Sequence, residues 1–465
     1  MIFSSITFLF YFLPLFLFLY FISPFKNTVL LIASLLFYAW GEATYTLILL
    51  LSIAINYVFG LLIAHYEHKN KVIVGVGIAV NLALITYFKY FNFIAQDLLA
   101  LEQQEPVHLP LGISFFTFQA ISYLIDVYRK EAEVEKNPFN LALYISMFPQ
   151  LIAGPIVRFK TVAKQIKQRV SSLEGISQGI KVFVVGLAQK ALIANGVAET
   201  ADQIFSLPET TLTMSVAWLG SVCYSIQIYF DFAGYSNMAI GLGLIMGFTF
   251  PKNFNYPYVS QSITEFWRRW HMSLSSWFRD YLYIPLGGNR VSPARTYLNL
   301  LLVFLLCGLW HGAAWTFILW GAYHGFFLML ERYKLSSLLV KFYRPLRHLY
   351  TLIVVLLGWV IFRSENFTHF LYYIKTMFAL GSGASNVETF GYFANRTLIS
   401  IIILAGIIST PLYPSLKKFI HWYKGKHLVF IPATIVLELF YLTIFLLSIL
   451  TVASGSYNPF IYFRF

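Results

Sequence analysis

"TYLNLLLVFLLCGLWHGAAWTFILWGAYHGFFLML" (residues 296–330) is an apolar run of 35 residues with Arg295 before it and Arg332, Lys334 and Lys341 after it. One helical crossing of a bilayer takes roughly 20 apolar residues, so the run is too long for a single simple span. Positive charge marks the cytoplasmic side, and here both flanks carry it. Gly308 and Gly312 sit near the middle. The run is therefore predicted to dip into the membrane and return, with its turn near Gly308 to Gly312. Non-helical backbone is tolerated at such depth only where protein or a water-filled cavity surrounds it. At 1.5 Å per helical residue, His311 lies about 24 Å from Arg295, deep in the membrane.

The rest of the 465 residues agree with that start. The chain is 58% hydrophobic and 11% charged, with mean hydropathy +0.68, against roughly 25% charged residues in a soluble domain. Apolar runs fall near 6–23, 28–40, 44–64, 72–95, 109–127, 139–154, 176–197, 212–248, 296–330, 348–362, 367–380, 396–413 and 429–452. No polar stretch is long enough for a separate soluble domain. An all-α polytopic membrane protein is expected: one integral-membrane domain over 1–465, with about ten to twelve transmembrane helices plus re-entrant segments. The net charge of +13 comes from Lys and Arg in short loops between apolar runs, which is topology rather than nucleic-acid binding. "MIFSSITFLFYFLPLFLFLYFISPFK" (1–26) lacks a basic n-region and a small-residue cleavage site and reads as a retained span.

Lys26, Lys69 and Lys71 alternate with loops carrying Glu42, Asp97, Glu102 and Glu105, which puts the N-terminus outside. Loops 97–108 and 198–211 then face the extracytoplasmic side, and neither is long enough to cradle a sugar polymer. The run 139–154 is flanked by positive charge on both sides and broken by Pro149 and Gly154-Pro155, so it too is expected to dip and return.

A second constellation lies upstream, in "PKNFNYPYVSQSITEFWRRWHMSLSSWFRDYLYIPLGGNR" (251–290). Ser262-Ile-Thr-Glu265 is a capping-box pattern that starts a helix. Phe266, Trp270, Leu274, Trp277 and Tyr281 give it an aromatic face; Arg268, Arg269 and Arg279 give a basic edge. Two readings of those arginines stand: anchors on lipid phosphates, or contacts to the phosphates of an acyl donor. His271 lies within this helix, 40 residues before His311. Ionisable groups inside a membrane are expensive and point to function by default; the bland alternative is a histidine bonded to a neighbouring carbonyl.

Other chemistries are weaker. His311 and His324, 13 residues apart, stand roughly 220° apart on a helix and cannot form a metal pair, and no carboxylate or Cys cluster supplies further ligands. Cys307, one turn before His311, makes a Cys–His nucleophile pair geometrically possible, although a Cys in an apolar run is more often packing; Cys223 reads the same way. "GLGLIMG" (241–247) follows no soluble strand and fits close helix packing rather than nucleotide binding. Asp231, with Gln227 one turn before it, either orients a reacting group or hydrates a helix break near Gly234.

The residues "YFDFAGYSNMAIGLG" (229–243), "PKNFNYPY" (251–258), "SITEFWRRWHMSLSSWFRDYLYIPLGGNR" (262–290), "LCGLWHGAAWTFILWGAYHG" (306–325) and "YNPFIYFRF" (457–465) resemble the membrane-bound O-acyltransferase family, in its bacterial polysaccharide-acetylating branch. The resemblance runs in order over most of the chain. It implies a ring of transmembrane helices around a central tunnel in the bacterial inner membrane. It implies His311, in the Trp-His-Gly motif beside Trp310, as the invariant histidine, and His271 as the second family position. Under it, His311 takes a proton from the acceptor hydroxyl and His271 orients the thioester or stabilises its oxyanion. From their own positions Trp310, Arg268, Arg269, Arg279 and Asp231 are the candidate substrate contacts, and His324, on another helix face, reads as structural. It implies no cofactor beyond a cytoplasmic acetyl thioester such as acetyl-CoA, used as substrate. It implies a partner, an extracytoplasmic esterase-like transferase, that passes the group to an exopolysaccharide such as alginate. Peptidoglycan O-acetylation is the nearest alternative. A polysaccharide flippase and a bare scaffold for the partner are the readings from other classes.

Overall fold

The computed structural model describes residues 2–101, 107–380, 387–412, 427–455 and 457–461. Among them every regular element is helical. In chain order these are α1 (Leu13–Ile22), α2 (Lys26–Gly41), α3 (Thr46–His65), α4 (Asn70–Ile85), α5 (Ile113–Tyr128), α6 (Pro138–Ser146) and α7 (Phe148–Leu151). There follow α8 (Phe159–Lys167), α9 (Leu173–Ala188), α10 (Asn195–Phe205), α11 (Met214–Ile245), α12 (Ile263–Arg269), α13 (Met272–Phe278) and α14 (Pro293–His311). The chain continues through α15 (Trp315–Leu330), α16 (Ser336–Leu339), α17 (Arg344–Arg363), α18 (Phe367–Met377), α19 (Val387–Phe393), α20 (Arg396–Ile408) and α21 (His427–Ala453).

Among the described residues six helical stretches are long and apolar enough to cross a membrane: Thr46–His65, Asn70–Tyr90, Leu173–Phe205, Pro293–His311, Arg344–Arg363 and Ile435–Ala453. Thr7–Ile22, Ile113–Tyr128 and Arg396–Ile408 are shorter apolar helices. The protein is an all-α polytopic membrane protein. One loop is corrected: α10 runs through Phe205, so 198–211 is mostly helix, its apolar positions Val197, Ala198, Ala201, Ile204 and Phe205 being buried. Of 97–108, residues 102–106 lie outside the described residues.

The chain forms two compact units. The first comprises Met1–Phe183, Tyr235–Lys252 and Arg279–Tyr281. Asn56 on α3 and Asn81 on α4 exchange side-chain amide bonds at 3.0 and 2.8 Å, both fully buried. Such pairs glue helices where water offers no alternative partner. Gly179 and Gly241 bring α9 against α11: a Cβ on either would stand 2.6 Å from the other's carbonyl oxygen, which is the close packing expected of "GLGLIMG". The run 139–154 breaks as predicted. α6 ends at Ser146, α7 is a single turn, and the irregular backbone from 152 to 157 is entirely buried. A polar network closes this unit. Tyr281 donates its hydroxyl to Asp126 at 2.7 Å, and Arg158 pairs with Asp280 at 2.7 Å. The Arg129 and Arg158 guanidinium groups stack on the Tyr281 ring.

The second unit comprises Val184–Gly234, Asn253–Phe278 and Leu282–Phe465. Its centre is the hairpin of α14 and α15, whose turn is Gly312 to Ala314, in extended conformation. The sequence placed the turn within a few residues of this. Glycine is required here because the two backbones touch. A Cβ on Gly308 would collide with the Phe317 carbonyl, and one on Gly321 with the Phe304 carbonyl. The hairpin holds His311 as the last residue of α14, at the point where the chain turns.

Candidate active site

The sequence predicts one helix from Ser262 through Tyr281; the structure cuts it at His271. Ser262 caps the start by accepting the Glu265 N–H at 3.0 Å, and Glu265 reaches back to the Gln261 N–H at 2.9 Å. α12 then stops at Arg269. Trp270 is extended, His271 sits at φ +43°, and α13 begins at Met272. A non-glycine residue in the left-handed region needs outside support. The stretch 253–255 provides it. Met272 N–H donates to the Asn253 carbonyl at 2.8 Å, and Asn255 N–H donates to the Arg269 carbonyl at 2.9 Å. Asn253 Oδ1 accepts from the Ser273 N–H, the Ser273 hydroxyl and His271 Nδ1. The aromatic positions Phe266, Trp270, Leu274, Trp277 and Tyr281 are therefore not one helical stripe.

The start of α12 rests on Glu331, a residue the sequence did not single out. Its carboxylate is 1% exposed and accepts the Ile263 N–H at 2.6 Å, the Thr264 N–H at 2.9 Å and the Thr264 hydroxyl at 2.6 Å. Tyr350 donates to it as well, at 3.1 Å. A carboxylate is well suited to a helix N-terminus, where unpaired N–H groups and the positive end of the dipole converge. The visible signal was one Glu closing an apolar run.

The two candidate catalytic histidines meet on one indole. Trp310 lies with its ring centroid 6.1 Å from that of His271 and 5.0 Å from that of His311. His271 is completely buried and His311 nearly so. Phe232 packs on His271 at 4.5 Å; Trp320 and Phe362 pack on His311 at 5.1 and 5.2 Å. His271 Nε2 has no hydrogen-bond partner among the described residues. His324 packs on Trp320 and Trp267, and neither of its ring nitrogens has a partner among the described residues. Cys307 is a buried free thiol.

The remaining candidates each have their own local partners or surroundings. Arg269 is held by Glu265 at 2.8 Å and by the Asn255 carbonyl at 3.1 Å. Arg268 is exposed. Arg279 lies beyond the break, in the first unit, exposed and paired with Asp280 at 2.6 Å. The predicted basic edge of a single helix is not formed. Asp231 is 1% exposed; its Oδ1 is 2.7 Å from Lys190 Nζ, and its Oδ2 accepts the Ile461 N–H at 2.9 Å.

Beside His311 the second unit contains a cavity of about 770 Å³, lined among others by Asp202, Phe317, Phe362, Arg363, Glu365 and Tyr457. Phe362 is common to both: it packs on the His311 ring and faces the cavity. Arg363 and Asp202 form an ion pair at 3.0 Å within the cavity wall.

The profile of the membrane-bound O-acyltransferase family matches residues 34–374, a stretch that includes both histidines. The chain belongs to the membrane-bound O-acyltransferase family. It is an O-acyltransferase embedded in a membrane, and the flippase and scaffold readings fall away. Relatives of similar length agree along the whole chain. "Probable alginate O-acetylase AlgI" of Azotobacter vinelandii is 41% identical, with all of both chains covered. The protein of the same name in Pseudomonas putida is 42% identical, again over all of both chains. "Peptidoglycan O-acetyltransferase" of Helicobacter pylori is 36% identical, covering all of this chain and 98% of its own.

Proposed function

We propose that this O-acyltransferase moves an acetyl group from a cytoplasmic thioester, acetyl-CoA, across the bacterial inner membrane for O-acetylation of an extracytoplasmic polysaccharide of the alginate kind. The observation that carries the reading is the meeting of His271 and His311 on Trp310, in a buried aromatic pocket next to a cavity. A thioester already has a good leaving group, so the task left to the protein is to activate the incoming hydroxyl. His311 accepts the hydroxyl proton as the oxygen attacks the thioester carbonyl, a contribution of about 10²–10⁴-fold. The carbon–sulfur bond then breaks, and the proton on His311 returns to the departing sulfur. His271 donates its Nδ1 proton to Asn253, so its Nε2 carries the lone pair and orients the reactants as a hydrogen-bond acceptor.

The immediate acceptor is the hydroxyl of a separate extracytoplasmic, serine-esterase-like partner, which completes transfer to the polymer. Labelled acetyl-CoA supplied to the cytoplasmic face of membrane vesicles tests the whole reading. Label should reach the acceptor with the wild-type chain and fail to do so with His311→Ala at equal expression. Transfer at the wild-type rate in that variant overturns the assignment. The full-length similarity to the Helicobacter pylori protein sustains one second reading, with peptidoglycan as the final polymer. Acetate released from each purified polymer after alkaline treatment distinguishes the two.

A further inference from the structure

Lys190 lies in the apolar stretch "VFVVGLAQKALIANG" (182–196), and neither the sequence motifs nor the proposed chemistry uses it. Its ammonium stands 2.7 Å from Asp231 Oδ1, with side-chain exposures of 3% and 1%. Removing two charges from water costs more than their attraction returns unless their other hydrogen-bonding positions are also filled. Here one short segment, 457–461, fills one such position on each residue. Lys190 donates to the Pro459 carbonyl, and Asp231 accepts the Ile461 N–H. Two further contacts complete the attachment: Asn195 donates to Asn458 Oδ1 at 3.1 Å, and Tyr457 donates its hydroxyl to Asp202 Oδ2 at 2.7 Å. Phe460 and Ile461 are buried as a result.

The segment leads to the cavity. Tyr457 and Asp202 line it, and Arg363, paired with Asp202, adjoins Phe362, which touches His311. We infer that Lys190 and Asp231 are positioning residues for acyl transfer, acting through 457–461, which they seat so that its first residue, Tyr457, stands in the wall of the cavity beside His311. The link to the reaction rests on His311 being the base; the seating itself does not. The polarity of the bonds separates this from plain charge compensation. Lysine gives a proton to a carbonyl and aspartate takes one from an N–H, so exchanging the two residues keeps the pair but inverts both backbone bonds.

The test uses the full chain in vesicles as wild type, Lys190→Asp/Asp231→Lys, Asn195→Ala and His311→Ala. Hydrogen exchange of the 457–461 amides and transfer from labelled acetyl-CoA are measured on each. In the exchanged pair, exchange of the Ile461 amide should rise about tenfold or more as the segment lifts. The kcat should fall about tenfold or more from the misplaced wall, with KM for the donor unchanged. Asn195→Ala, which removes only the Asn458 bond, should give smaller changes in the same directions. An exchanged pair that inserts and keeps both protection and rate overturns the inference. So does one that loses rate while the segment stays protected. If the exchanged pair does not insert, Asn195→Ala decides: unaltered exchange or unaltered rate overturns it. Activity retained by His311→Ala would remove the base reading alone, since the exchange result stands without it.

Discussion

Nδ1 of His271 donates to Oδ1 of Asn253 at 3.2 Å, and that direction is fixed by a third residue. The Ser273 backbone N–H can only donate, and it points at the same Asn253 atom. The atom is therefore the amide oxygen, and His271 must carry its neutral-state proton on Nδ1. Asn253→Leu removes the acceptor for three buried donors at once. Each orphaned donor costs about 1–3 kcal/mol, so the thermal midpoint in detergent should fall by several degrees. Transfer should fall further than stability alone accounts for, measured as acetate per polymer at matched levels of folded protein.

His311→Ala should remove acetylation while leaving insertion intact, a loss of about 10²–10⁴-fold in rate. Cys307→Ser should keep the wild-type rate, because the thiol is buried in the body of α14. Equal loss in both variants, with an acetyl adduct on Cys307 in mass spectrometry, would replace base catalysis by a covalent relay.

Glu331→Ala should be among the most damaging substitutions away from the histidines. It leaves two backbone N–H groups and two hydroxyls without their shared acceptor, and each orphaned buried donor costs about 1–3 kcal/mol. Glu331→Gln keeps an acceptor oxygen and should lose less. Thermal unfolding of the three proteins in one detergent gives the order wild type, Gln, Ala; any other order contradicts the capping role.

On the surface, a hydrogen bond from Lys160 holds the Glu131 carboxyl below its usual range, with slight burial opposing. A carboxyl depressed in the folded state stabilises above its unfolded value and loses that contribution as pH falls through the folded one. Glu131 is exposed enough for water to screen most of the effect. The midpoint difference between wild type and Glu131→Gln should be small and constant from pH 7 to pH 6. It should vanish as the pH drops through the carboxylate range, about pH 3 to 4.5. A difference that persists under acid would rule out the ion pair as its source.

Much of this was legible in the residues. The Arg-flanked run 296–330 predicted a return turn, and the turn at Gly312–Ala314 follows from two glycines that let backbones touch. The capping box at Ser262 announced a helix start correctly. What stayed hidden depends on partners distant in sequence. No Gly or Pro marks His271 as a break; Asn253, 18 residues away, supplies the bonds that make φ +43° tolerable. Glu331 reads as the polar end of a hydrophobic run until α12 is placed on it. Asp231 was noticed and Lys190 was not, because a lone lysine among apolar residues has no local pattern that names its counter-ion.

The touching backbones of α14 and α15 also limit how the enzyme can be retooled. Neither helix can slide or rotate on the other without a side chain appearing at Gly308 or Gly321, so the depth of His311 is set once for any cargo. A variant meant to carry propionyl or butyryl groups gains nothing from changes in the hairpin. Under the proposed function its extra methylenes need space carved at Phe362, from the neighbouring helix α17, where the ring on His311 is also the partition to the cavity. With His311 as the proposed base, chain-length selectivity in this scaffold is separable from proton transfer, the hairpin serving as a fixed ruler and the facing aromatic as its movable stop.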